Sequence, residues 1–390
     1  MKYFFVLGSN PGLSVAEILN KLQTQKYSLI GKEVLEVEVE TDLDCDQLIK
    51  EIGGTIKIAK ILKENCVNIL ESIKDNLPGD DEHKGKYKFG FSAYGKKRDD
   101  IKELAMATKQ ELKNRKISPR WYTSMGWENL PSHAVVRNKL LEKGAEFLLI
   151  QKKESLILAK TEAVQKFEDL SFRDYERPAR DSQSGMIPPK LAQIMINMGL
   201  KGDKKKNLLD PFCGSGTILM EAILMGVEKV LGSDISGKAI SDTQKNIDWV
   251  KKNVSSEEGD SDLELFNEDV TGLAKVLGDN SLDLIVTEPY LGPQSKIKDM
   301  NTTKNKLDKL YSDSLKEFHK MLVKGGRVVM IWPVMKNSRK TASLNPNLGN
   351  LKIVNPLPQG MNLNTTKRGT IIYGRKGQRV WREVVVLEKK

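Results

Sequence analysis

At 390 residues the chain exceeds what one ordinary hydrophobic core supports, so two or three domains are expected. The composition excludes a fibrous or disordered chain, and a formal net charge of +11 points to a polyanionic partner, nucleic acid first. Three cysteines without a CxxC pair and three scattered histidines give no reason to expect a metal site or a disulfide framework.

The apolar run at residues 3–7 stops at Gly8, too early for a secretory core, and reads as a strand. No apolar run approaches the ~20 residues that span a bilayer, so a cytoplasmic protein without membrane contact is expected. Asn10-Pro11-Gly12 reads as a turn, and Ser14 with Glu17 as the capping box of a helix through Leu22. Residues 34–40 alternate as a half-buried strand, a short helix is expected at 46–52, and a further strand at 55–62. This mixture predicts a small α+β sandwich of the ferredoxin-like type over residues 1–80.

A second unit is expected over residues 81–166. It would contain a strand at 86–94, helices at 99–113 and 132–142, and a hairpin formed by 147–151 and 156–160. Lys96, Lys97, Arg98, Arg115, Lys116 and Arg120 crowd its loops beside Trp121 and Tyr122. Cations reach phosphates and aromatic faces stack on bases, so the cluster suits irregular RNA, although each residue alone also fits a solvated loop.

Periodicity fades over residues 167–189, which read as a charged, proline-containing linker. From residue 190 to 390 helix and strand alternate. Strands are expected at 207–210, 229–234, 264–268, 282–287 and 326–332, with helices between them and two last strands at 370–373 and 380–387. Such alternation predicts an α/β, doubly wound, mostly parallel sheet.

Chemistry gathers at the strand ends. Leu208-Leu209-Asp210 runs into Gly214-Ser215-Gly216-Thr217 and a helix, which places Asp210, Phe212, Gly214, Gly216 and Thr217 where a cofactor binds. Asp210 would repel a dinucleotide pyrophosphate, and the loop lacks a P-loop lysine. The cationic S-adenosyl-L-methionine suits it instead. Asp234 ends the next strand, where it can hold ribose hydroxyls, and Asp269 follows the third, where it can meet an adenine amine. Either could instead cap a helix or a turn. Glu288, Pro289 and Tyr290 end the fourth strand and are the catalytic candidates. Glu288 and a backbone carbonyl can accept the hydrogens of an exocyclic amine, and Tyr290 can stack on its base.

The segment Asp210-Pro211-Phe212-Cys213-Gly214-Ser215-Gly216-Thr217 resembles the cofactor motif of class I (Rossmann-like) amine methyltransferases. The stretch from Arg173-Asp174 to Pro188-Pro189-Lys190-Leu191-Ala192, and the tail from Arg368-Gly369 to Arg382-Glu383, resemble the archaeal and eukaryotic tRNA (guanine-N2) methyltransferases acting at position ten. That resemblance implies ferredoxin-like and THUMP domains before the catalytic domain, tRNA as partner, and methylation of guanine N2. The family's usual Asp-Pro-Pro-Tyr is Thr287-Glu288-Pro289-Tyr290 here. Aligned on the strand, Glu288 takes the place of the acid; aligned on the aromatic, Thr287 does, and Glu288 is preferred because the chemistry wants a carboxylate at the strand end. The other readings are an amine methyltransferase acting on DNA or ribosomal RNA, and a non-catalytic RNA-binding relative.

Overall fold

The computed structural model describes residues 1–80, 82–95, 100–123, 129–180, 186–254, 261–293, 299–336, 341–361, 363–374, 378 and 380–390. Two compact units emerge, one of residues 1–11, 24–50 and 55–166, the other of residues 12–23, 51–54 and 167–390.

Up to residue 166 the elements in chain order are β1 (Lys2–Leu7), α1 (Pro11–Leu22), β2 (Tyr27–Ile30), β3 (Val34–Glu38), α2 (Cys45–Glu51), β4 (Thr55–Lys63), α3 (Ile69–Lys74), β5 (Lys86–Tyr94), α4 (Ile101–Asn114), β6 (Ser118–Tyr122), α5 (Ser132–Arg137), β7 (Gly144–Lys152) and β8 (Ser155–Val164). The eight strands make one sheet in the order β2-β3-β1-β4-β8-β7-β5-β6, so strands on both sides of residue 80 are continuous. Its β7–β8 hairpin matches the alternation at 147–160.

Sequence pattern did not signal β2, α3 or β6. Strand β2 is too short to show a period. Strand β6 carries Pro119, which the end position of β6 in the sheet tolerates because one side of the strand needs no ladder donor. The charged alternation at 34–40 also misled at one point. Glu36 is buried, and its Oε2 accepts a hydrogen bond from Lys152 Nζ at 2.6 Å. Deeper in this unit, Lys57 Nζ donates to Glu146 Oε1 at 2.5 Å and to the Leu130 carbonyl at 2.7 Å. Ser92 and Thr161 donate to the same carboxylate, giving the buried pair the hydrogen bonds that such charges need.

The second unit adds α6 (Phe167–Tyr175), α7 (Pro189–Leu200), β9 (Asn207–Asp210), α8 (Thr217–Leu224), β10 (Lys229–Ser233), α9 (Gly237–Asn253), β11 (Asp262–Phe266), α10 (Leu273–Leu277), β12 (Leu282–Thr287), α11 (Met300–Met321), β13 (Leu322–Lys336), β14 (Thr341–Ser343), β15 (Leu351–Ile353), β16 (Ile371–Tyr373) and β17 (Val380–Lys389). Its main sheet order is β11-β10-β9-β12-β13-β17-β15. The strands from β11 through β13 are parallel neighbours, whereas β17 runs antiparallel to β13 and β15. The chain winds outward from β9 through β10 to β11, then crosses back to β12 and β13. The switch point of this α/β Rossmann-like sheet therefore falls between β9 and β12.

Helices cover both faces. Ile285, Val328 and Met330 join a core with Leu307, Tyr311 and Phe318 of α11. Gly199 of α7 backs onto Leu284, the neighbour of Ile285 that points the other way.

Two local expectations change. Helix α1 starts at Pro11, a residue whose missing N–H and fixed φ suit a first turn, so Ser14 and Glu17 lie inside it rather than capping it. Ser14 Oγ donates to the Gly54 carbonyl at 2.6 Å, while Glu17 accepts from the Gly53 and Gly54 amides and from Asn197 Nδ2. Burial pushes the Glu17 carboxyl up to about 7. The stretch 167–189 begins as helix α6, because Arg173 forks onto Glu221 of α8 at 2.7 and 2.9 Å and Gln193 donates to the same carboxylate.

Candidate active site

The turn after β9 is set by a carboxylate and two glycines. Asp210 Oδ1 accepts from the Phe212 amide at 3.2 Å, an Asx turn that bends the chain away from the sheet. Gly214 and Gly216 follow with φ of +54° and +81°, a region where a Cβ is strained. Their surroundings differ. A Cβ on Gly216 would stand 2.9 Å from Thr243 Cγ2, whereas one on Gly214 would meet nothing within 4 Å. Gly216 is thus required for packing, and Gly214 borders open space. Thr243 Oγ1 and Asn246 Nδ2 donate to the Gly214 and Ser215 carbonyls at 2.8 Å, holding the loop from α9. Cys213 is buried, and burial raises its thiol far above the ordinary range.

Asp234, at the end of β10, accepts from the Gly214 amide at 3.1 Å and the Ser236 amide at 2.9 Å, one on each carboxylate oxygen. It is therefore tied both to the glycine loop and to the turn entering α9. Asn267, absent from the sequence reading, donates to the Asp234 and Ile235 carbonyls at 3.0 Å and braces that turn. Asp269 lies beyond β11, and its Oδ1 accepts from the Thr271 amide at 2.9 Å in a local turn.

Across the switch point, Thr287 ends β12 and donates from Oγ1 to Asp210 Oδ1 at 2.7 Å. Both bonds to Asp210 fall on Oδ1, leaving Oδ2 outside them. Burial, with smaller contributions from Asp234 and Glu288, raises the Asp210 carboxyl to about 7. Glu288 follows Thr287, and its two oxygens accept from Arg382 Nε at 2.5 Å and Nη2 at 3.1 Å. Pro289 is buried, and Tyr290 is 55 % exposed. The Tyr311 hydroxyl donates to the Tyr290 carbonyl at 3.3 Å, so α11 supports the backbone of this segment.

Arg382 reaches Glu288 because β17 is antiparallel. Its first residues lie at the same edge of the sheet as the last residues of β12, and Arg382 pairs in register with Pro333 of β13. Burial disfavours charge on Arg382, but the hydrogen bond and charge of Glu288 outweigh it and raise its pKa. Arg382 also donates to the Met186 carbonyl at 3.3 Å. The thioether of Met186 accepts in turn from Arg177, whose other terminal nitrogen donates to Thr217 Oγ1 at 2.5 Å. In sequence Arg382 stands out only as part of the tail that carries the family resemblance, 94 positions from its partner.

The edge can be tested against S-adenosylmethionine. With Glu288 paired to Arg382, Asp210 and Asp234 are carboxylates bonded to the glycine loop that can favour a cation. The open side of Gly214 gives the ligand room beside them. A triphosphate or pyrophosphate would meet those same charges without a lysine in the loop. Among the described residues no cluster of His, Cys, Asp or Glu could hold a metal ion.

Of the RNA-contact candidates, Lys96, Lys97 and Arg98 lie outside the described residues. Arg115 donates to the carbonyls of Lys74, Leu77 and Pro78 and to Glu111, which uses its guanidinium inside the fold. Lys116 and Arg120 are exposed, and the Arg120 guanidinium lies 5.2 Å from the Tyr122 ring centroid. Trp121, on the opposite face of β6, packs against the core.

The doubly wound sheet, with a glycine loop and an acid-proline-aromatic segment on either side of its switch point, defines an α/β methyltransferase. Residues 177–356 match the family described as RMKL-like, methyltransferase domain, and residues 39–245 match the family described as DNA methylase. The latter match takes in more than half of the chain, which belongs to this broad methylase family. The segment shared by the two matches contains the glycine loop.

The chain is 37% identical over 151 residues to tRNA (guanine(10)-N2)-dimethyltransferase of Methanothermobacter thermautotrophicus, covering 38% of this chain and 39% of that protein. It is 27% identical over 147 residues to the Pyrococcus abyssi protein of the same name, again covering 38% and 39%. These matches thus span well under half the length of either relative. The crystal structure of TrmN from Thermus thermophilus shares the fold over 100% of both chains, with a TM-score of 0.53 and 17% identity.

Proposed function

We propose that the chain transfers a methyl group from S-adenosylmethionine to the N2 amine of guanine in tRNA, at position ten. The observation that carries this reading is the meeting of Asp210, Asp234 and the Gly214–Gly216 turn with Glu288-Pro289-Tyr290 at one switch point. The names of the relatives supply the substrate.

S-adenosylmethionine brings an activated methyl on a sulfonium. The loop and Asp234 bind and orient that cofactor, while Asp210 Oδ2 favours its positive charge. Glu288 and the Pro289 carbonyl would accept the hydrogens of the guanine amine and orient its nitrogen toward the cofactor's methyl group. Tyr290, exposed beside them, offers a ring for the base to stack on. Methyl transfer would leave the cofactor as a neutral thioether and the amine nitrogen positively charged; the Glu288 carboxylate would stabilise that charge and take the proton the nitrogen loses, passing it on to solvent.

In this reading the first unit recognises the RNA through ferredoxin-like and THUMP regions, with Lys116 and Arg120 among its phosphate contacts. The protein then works in the cytoplasm, where tRNA is available. The DNA methylase description favours a second reading, in which the amine belongs to DNA. Labelled methyl transfer to bulk tRNA, ribosomal RNA and DNA, followed by nucleoside analysis, separates them. Label in N2-methylated guanosine from tRNA is expected, and label in DNA alone overturns the proposal.

A further inference from the structure

We infer that Arg382 is a positioning residue for the transfer reaction. It fixes Glu288 as an oriented acceptor at the end of β12. The inference rests on the proposed function, because it assigns a role within the same site.

The geometry carries it. Both Glu288 oxygens are gripped, by Nε and Nη2 of one planar guanidinium, which fixes the carboxylate plane as a single bond could not. Both partners are largely buried, with side-chain exposures of 15% for Arg382 and 8% for Glu288, so solvent competes little for the pair. The guanidinium is itself referenced to the backbone through Met186 O, and it stands on the interior strand β17, not on a loop.

Each carboxylate oxygen has a second lone pair, and those directed away from Arg382 remain to accept amine hydrogens. The pairing also answers a problem raised by glutamate itself. Its side chain has one more rotatable bond than aspartate, and a fork at its tip removes that freedom. Arg382 touches neither the methyl nor the amine. Its effect passes through Glu288.

The test uses the full chain with Arg382→Lys, Arg382→Gln and the neutral pair Arg382→Gln/Glu288→Gln. Lysine keeps the charge and loses the fork. We expect Arg382→Lys to lower kcat by about 10²-fold with little change in KM for RNA, the scale of a misplaced reacting group. Cofactor affinity by calorimetry should stay near that of the wild type. Arg382→Gln should lose at least as much rate, since both the charge and the fork are gone. Added methylguanidine should restore part of its rate. The neutral pair should fold normally and show the same rate as Glu288→Gln alone, because both act through one group.

A wild-type rate in Arg382→Lys and Arg382→Gln overturns the inference. So does a loss that tracks a fall in Tm and resists methylguanidine. If Arg382→Gln does not fold, Arg382→Lys decides alone through its split between kcat and KM. A wild-type chain that methylates no nucleic acid defeats the proposed function instead, which keeps the two failures apart.

Discussion

Arg382 and Glu288 lie 94 positions apart in sequence, yet one guanidinium holds both oxygens of that carboxylate at the edge where β12 ends. The pairing changes how the acid should be tested. Glu288→Ala would leave a buried arginine without its counter-ion, a loss of about 3–5 kcal/mol that confuses folding with chemistry. Glu288→Gln keeps the shape. We expect it to lower transfer by about 10²–10³-fold with cofactor affinity nearly unchanged. Single-turnover kinetics beside calorimetry checks this, and normal turnover in Glu288→Gln would remove the residue from the mechanism.

Asp210 gives a pH prediction. Its carboxyl lies at about 7 in the folded chain, above the unfolded value of about 3.9, so the native state holds the extra proton between those pH values. Stability therefore falls as pH rises through this window, and the cost is fully present above it. Asp210→Asn keeps an oxygen for the Phe212 and Thr287 donors and removes the charge. Its Tm should exceed that of the wild type at pH about 8 and converge with it near pH 4, while cofactor affinity weakens. An equal Tm difference at both pH values would count against the assignment.

The two glycines of the loop should fail differently. Gly216→Ala places a Cβ 2.9 Å from Thr243 Cγ2 at a φ of +81°. It should cost at least about 1–2 kcal/mol in a denaturant titration. Gly214→Ala adds its methyl to open space, so it pays in backbone strain alone and should lose less stability than Gly216→Ala. Its larger effect should be on cofactor binding.

Asp234→Ala should weaken cofactor binding and also loosen the loop, since the carboxylate accepts from the Gly214 and Ser236 amides. Faster hydrogen exchange at Gly214 together with weaker affinity is the expected pair of results. Unchanged affinity would rule Asp234 out as a cofactor ligand.

Arg173→Met leaves Glu221, fully buried, with Gln193 as its remaining side-chain donor among the described residues. Loss of about 3–5 kcal/mol is expected in thermal or urea unfolding. The double change Arg173→Met/Glu221→Met should recover much of it.

Strand ends were the most legible part of the chain. Residues 207–210 and 282–287 form the expected strands because buried parallel strands read as short apolar runs bounded by polar turns. Asp210, Gly214, Gly216, Asp234 and Glu288 follow from those boundaries, since the topology brings such ends together. Partners supplied by other strands and helices were hidden. Arg382 faces Glu288 only because β17 runs against its neighbours, and Asn267 braces Asp234 through backbone carbonyls that no side-chain pattern encodes. Arg173 read as a charge in a linker because sequence does not reveal a buried carboxylate such as Glu221 elsewhere in the chain.

Strand β17 lies between β13 and β15 and also pairs with β16, so a strand made long after β12 takes an interior place in the sheet. A nascent chain halted before Val380 already contains the glycine loop and Glu288, but not the arginine that holds that acid. Assembly of this edge must therefore wait until synthesis of this strand is done, and pairing so distant in sequence carries a loop-closure cost that slows it.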